Sequence, residues 1–144
     1  RSKACEDALH FFSDQEYFIL HRKVKGGKTR LAPIVGPHKD EIIRRMQNTA
    51  PNDLVWNYIN SNCDVHGYRS DYATYLYKLY ARAIKSLDYK KKILCADGKL
   101  RSEIYVCRSD EKGKKLDRKA IRAVSVALGH DREDTAITSY IRNL

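Results

Sequence analysis

His66 and Arg69 stand three residues apart at the point where a long amphipathic stretch begins. At a helix start the free backbone amides favour an anion, and a guanidinium one turn away can take two non-bridging oxygens of a phosphate. The pair is read as a phosphate-handling arrangement, although two such residues at this spacing are by themselves a common surface occurrence. Lys25 and Lys28 flank two glycines in a basic turn, which is either simply solvated or a means of pushing a lysine into a DNA groove. Arg1 stands at the very start of a short helix. His130 follows a glycine expected to stop another helix, so its side chain can be presented inward or outward. Tyr140 lies beside the apolar stripe of a last helix, where geometry alone reads it as a half-buried packing residue rather than a nucleophile. Cys63 and His66 have the spacing of half a metal site, but Cys95 and Cys107 are too far apart to complete one, and no metal is expected.

The elements that must hold these residues follow from periodicity and turn chemistry. A chain of 144 residues is expected to fold as one domain with a proper core. Ala4, Cys5, Ala8 and Leu9 share one side of a helix over residues 1–10. Residues 15–24 and 29–34, joined by the basic glycine turn, predict a β-hairpin ended by Pro33. A helix is predicted over 38–47, and a shorter one over 54–59 carrying Trp56. The long helix behind His66 is expected to run to about Leu87 on the stripe Tyr72, Ala73, Leu76, Leu79, Tyr80, Ala83 and Ile84. A second hairpin is expected to pair residues 93–95 with 103–107, followed by a charged loop over 109–116. Asp117 is placed to cap a helix bearing Ile121, Val124 and Leu128, with Gly129 as its left-handed stop. Asp131 can cap a last helix striped by Ile137, Ile141 and Leu144.

Lys and Arg number 28 against 18 Asp and Glu, a net charge of +10 that calls for a polyanionic partner without choosing between DNA and RNA. No apolar run approaches the length that spans a bilayer, and no signal peptide is visible. Four dispersed cysteines suggest a reducing compartment.

In combination, these positions resemble the catalytic domain of tyrosine recombinases, the integrases of phages and mobile elements, over nearly the whole chain. That family carries a lysine at the tip of a β-hairpin, matched by Lys25 in Val24-Lys25-Gly26-Gly27-Lys28-Thr29-Arg30. It carries a His-x-x-Arg box at a helix start, matched by His66-Gly67-Tyr68-Arg69. It carries Leu-Gly-His followed by the nucleophilic tyrosine, matched by Leu128-Gly129-His130 and by Tyr140. Arg1, 24 residues before Lys25, stands where the family's first arginine is expected. Tyr105 to Arg108 also looks like a segment of some mobile-element integrases.

The resemblance implies an α+β, mainly helical catalytic fold with a small antiparallel sheet or hairpin. It implies a single catalytic domain over residues 1–144, with 88–116 as an inserted hairpin or loop. The amino-terminal core-binding domain that usually clamps the other side of the duplex is expected to be absent. The implied activity is site-specific cutting and rejoining of DNA through a 3′-phosphotyrosine link made by Tyr140. Arg1 and Arg69 would stabilise charge on the non-bridging oxygens, and His130 would donate a hydrogen bond to one of them. His66 is the first candidate for the base, and Lys25 would protonate the departing 5′ oxygen. No cofactor is implied, since the arginines do what Mg²⁺ does elsewhere. The implied partner is double-stranded DNA bearing a recombination site, with several protomers assembling on it. The implied setting is the cytoplasm of a bacterium, the protein being host- or phage-encoded and DNA-associated, with no membrane.

Two other classes fit the same residues. A type IB topoisomerase-like strand transferase would relax supercoils without a recombination partner, a difference that suicide substrates with two sites would expose. A non-catalytic basic DNA-binding module would lose no activity on Tyr140→Phe.

Overall fold

Apolar spacing at the start of the chain produces α1 (Lys3–Phe11), which buries Cys5 and Ala8 and delivers the fully buried Phe12 just past its end. The structure, a computed structural model, describes residues 3–24, 28–95, 97–108 and 112–129. Strands β1 (Phe18–Val24) and β2 (Lys28–Pro33) pair antiparallel, with His21 opposite Arg30 and Phe18 opposite Pro33. The register slips between His21 and Val24, so β1 carries a bulge close to the turn. Pro33 sits at a non-hydrogen-bonded position opposite Phe18, where its missing N–H costs the ladder nothing, and Ile34 N–H still reaches the Tyr17 carbonyl at 2.9 Å.

Helix α2 (Lys39–Gln47) buries none of its residues. The expected helix over 54–59 does not form. That segment stays irregular and largely exposed, with Arg45 stacked over Trp56 at 5.4 Å and donating from Nε to the Val55 carbonyl at 2.9 Å.

Helix α3 (Val65–Tyr80) begins where expected but stops well short of Leu87. The cause is tertiary. Arg82 donates its backbone N–H to Asp117 Oδ2 at 3.0 Å, and its guanidinium bonds both carboxylate oxygens at 2.9 Å. Those bonds hold the chain extended from Ala81, and only a 3₁₀ turn at Ile84–Ser86 follows.

Four short strands succeed it: β3 (Lys92–Leu94), β4 (Leu100–Ser102), β5 (Ile104–Val106) and β6 (Lys115–Asp117). The expected pairing of 93–95 with 103–107 is corrected, because β3 pairs with β4 and β5 with β6. Part of the expected charged loop is therefore strand. A tight turn decides the pairing: Cys95 N–H donates to the Lys99 carbonyl at 2.9 Å and Gly98 takes φ 81°, which places Leu94 opposite Leu100.

Helix α4 (Arg118–Leu128) is the element on which the rest packs, burying Ala120, Ile121, Ala123, Val124, Ser125, Ala127 and Leu128. It meets α1, β2 and α3, and its apolar face joins Phe12, Ala73, Leu76, Tyr77 and Leu116 in the core. Asp117 caps it by accepting from Lys119 N–H, and Gly129 closes it with φ 76°, both as the sequence predicts. The last helix expected after Asp131 lies outside the described residues. The described residues thus form an α+β fold of helices and three two-stranded antiparallel sheets. Among them no helix is long and apolar enough to cross a membrane.

Candidate active site

The start of α3 is not the open anion site that its free amides suggested. Asp64 occupies the N-cap, and its Oδ1 accepts the Gly67 N–H at 2.9 Å, so the helix end is met by the chain's own carboxylate. Any phosphate handling therefore falls to side chains. His66 is exposed in the first turn. Arg69, half-buried, stands one turn before Ala73 on the face that packs against α4.

That placement carries the Arg69 guanidinium to the far end of α4, where Nη2 donates to the Leu128 carbonyl at 3.5 Å. A second guanidinium arrives from β2, as Arg30 Nη1 donates to the Ala127 carbonyl. The final carbonyls of a helix have no intrahelical donor and carry the negative end of its dipole, so cations are favoured there. Gly129 N–H serves the Ser125 and Val126 carbonyls, and the two arginines donate to the next two.

His21 joins this group from β1, directly across from Arg30. Burial, then the positive charges of Arg30 and Arg69, lower its pKa, favouring the neutral imidazole. Burial, then the charge of Arg69, also lowers the pKa of Arg30. Carbonyl partners on α4 hold the two guanidiniums in place. The result is a compact electropositive cluster of the kind that stabilises an oxyanion.

Tyr72 is the phenol beside Arg30, and it is not built as a nucleophile. Its hydroxyl donates to the Pro33 carbonyl at 2.8 Å, and burial raises its pKa far more than Arg30 lowers it.

Of the six candidate residues, His66 and Arg69 are described and lie on the first turns of α3. Arg1, Lys25, His130 and Tyr140 lie outside the described residues. Arg30 and His21 were missed in the sequence, although a signal was present. Arg30, Ala32 and Ile34 alternate along the strand, and Ala32 and Ile34 are buried, so a charged residue stood on an inward face. Among the described residues no group of three His, Cys, Asp or Glu side chains could hold a metal ion.

No family model, no curated protein and no solved structure matches the chain.

Proposed function

We propose that the chain is the catalytic part of a DNA breaking-and-rejoining enzyme of the tyrosine recombinase kind, with the integrase-like catalytic fold. One observation supports it above the rest. Arg69 of the His66-Gly67-Tyr68-Arg69 box reaches the Leu128 carbonyl of the Leu128-Gly129-His130 box, so two motifs distant in sequence meet at one cationic cluster.

In the proposed reaction, Arg69 and Arg1 hold the non-bridging oxygens of one phosphodiester, and His130 donates to one of them. The Tyr140 hydroxyl attacks phosphorus and gives its proton to a base, for which His66 is the candidate. The bond to the 5′ oxygen breaks, and Lys25 supplies the proton that this oxygen takes. The 3′-phosphotyrosine link keeps the energy of the broken ester for rejoining. A phenol ionises near pH 10 in water, so a cationic setting favours its attack at neutral pH. Several protomers assemble on a duplex recombination site, within the bacterial cytoplasm.

The deciding experiment offers the protein a nicked half-site duplex and looks for polypeptide attached to the 3′ end after denaturation. Arg69→Ala is expected to slow adduct formation about a hundredfold, in line with loss of one donor to a developing oxyanion. An unchanged rate would remove Arg69 from the chemistry. Duplex binding is expected to weaken about a thousandfold between 50 and 200 mM salt if about six phosphates are neutralised. Fluorescence anisotropy across a salt series measures this, and a nearly flat response would count against a DNA-tracking surface.

A further inference from the structure

Arg30 is not among the residues assigned to chemistry, yet it ties together two elements that flank assigned ones. It sits on β2, the strand that follows the Lys25 turn. Its guanidinium donates to the Ala127 carbonyl in the last turn of α4, two residues before Gly129 in sequence. Its stem also lies against the backbone of Gly129. A methyl group added there would stand 2.7 Å from Arg30 Cδ and 2.9 Å from Nε. Glycine at 129 is thus required twice, once for φ 76° and once to leave room for the arginine.

We infer that Arg30 is a positioning residue, a latch that fixes the β1–β2 hairpin against the end of α4 and so ties the strand that follows Lys25 in sequence to the helix that precedes His130. Its catalytic consequence rests on the strand-transfer reading above. A guanidinium suits this task better than an apolar contact, because it donates to a carbonyl at the negative end of a helix and lends its charge to the same cluster. Arg69 does the equivalent from α3 at Leu128, so the end of α4 is fixed from two sides. The lowered pKa of Arg30, caused first by burial and then by Arg69, agrees with its half-enclosed place between strand and helix.

The test is a double-mutant cycle on the full chain, read by thermal unfolding and by adduct formation at saturating nicked duplex. Gly129→Ala forces Arg30 off the Ala127 carbonyl as well as straining the backbone, whereas in an Arg30→Ala background only the strain remains. The Gly129→Ala drop in melting midpoint is therefore expected to be at least halved in that background. An equal drop in both backgrounds overturns the latch. Arg30→Ala is also expected to slow adduct formation by about tenfold or more at saturating DNA, beyond any change in Kd, since small misplacements of reacting groups are costly. An unchanged rate, or a loss confined to Kd with a shallower salt slope, overturns the positioning role. Should Arg30→Ala fail to fold, Arg30→Val, which also lacks the Cδ and the guanidinium, carries the same comparisons. If the unsubstituted chain gives no adduct, the strand-transfer reading fails and the catalytic part of this inference falls with it, while the melting cycle still decides the latch.

Discussion

Tyr140→Phe is expected to abolish covalent attachment to a 3′ DNA end while leaving duplex affinity unchanged. The hydroxyl removed is the proposed nucleophile, whereas duplex affinity comes chiefly from cation–phosphate contacts that a phenylalanine leaves in place. Three partly or fully buried, hydrogen-bonded phenols of the core are poor substitutes. Tyr72 donates to the Pro33 carbonyl, and Tyr77 accepts the Asp117 N–H at 2.9 Å. Tyr80 donates to Asp14 at 2.7 Å, and burial, then that bond, push its pKa up to about 12. Denaturing gels with a labelled nicked half-site, run beside anisotropy titrations, read both quantities. An adduct that survives the substitution would assign the attack to another phenol, and Tyr68, exposed beside Arg69, would be the next to replace.

The largest loss of stability is expected at Asp117. This carboxylate is fully buried, and it accepts from the Arg82 backbone, from the Arg82 guanidinium at both oxygens and from Lys119 N–H at the cap of α4. Asp117→Ala removes the cap, releases the segment after α3 and strands a cation. Breaking a buried ion pair typically costs about 3–5 kcal/mol. The lower end, about 3 kcal/mol, is expected here, since Arg82 keeps 39% of its side chain in solvent. Glu103, 3.8 Å from the same guanidinium, remains as a weaker counter-charge. Chemical denaturation of the variant measures the loss, and a change below about 1 kcal/mol would reduce the contact to the worth of a surface pair.

The same carboxylate sets an acid limit. Burial raises its pKa, but the hydrogen bonds and charge of Arg82, with the Lys119 N–H, together outweigh burial and leave it lowered. A group whose folded pKa is depressed contributes stability in full above its unfolded pKa, near 4, and loses it as pH falls through the folded value. Melting midpoints of the unsubstituted chain are therefore expected to fall below about pH 4, with a smaller drop in Asp117→Asn. Parallel acid profiles for the two proteins would contradict this assignment.

How much of this was legible in the sequence differs by element, for physical reasons. Helix α4 was readable at both ends because Asp117 and Gly129 act within a few residues of themselves. The β1–β2 hairpin was readable because two branched and aromatic runs flanking a pair of glycines are a local signal. Helix α3 was extended too far because what stops it is a carboxylate 35 residues away. The spacing of apolar residues over 54–59 predicts a short helix that does not form. Instead they stay exposed beside Arg45, whose stacking on Trp56 no periodicity reveals. The second hairpin was mispaired because turn tightness around Gly98, rather than strand propensity, chose the partner. At the site, the His66 and Arg69 spacing was visible, but its chemistry was attributed to helix amides that Asp64 already occupies. Arg30 was hidden within a strand that looked merely basic.

Helices α3 and α4 run in opposite directions and are joined at both extremities, by Tyr77 and Arg82 on Asp117 at one and by Arg69 on Leu128 at the other. A pair of rods bolted at two points resists sliding and scissoring, leaving rotation of the whole frame as its softest movement. Bending or twisting of a duplex bound as proposed would then turn both motif-bearing ends as one piece instead of spreading them. Amide exchange at the two junctions should accordingly slow or quicken in step, because neither joint can open far without loading the other.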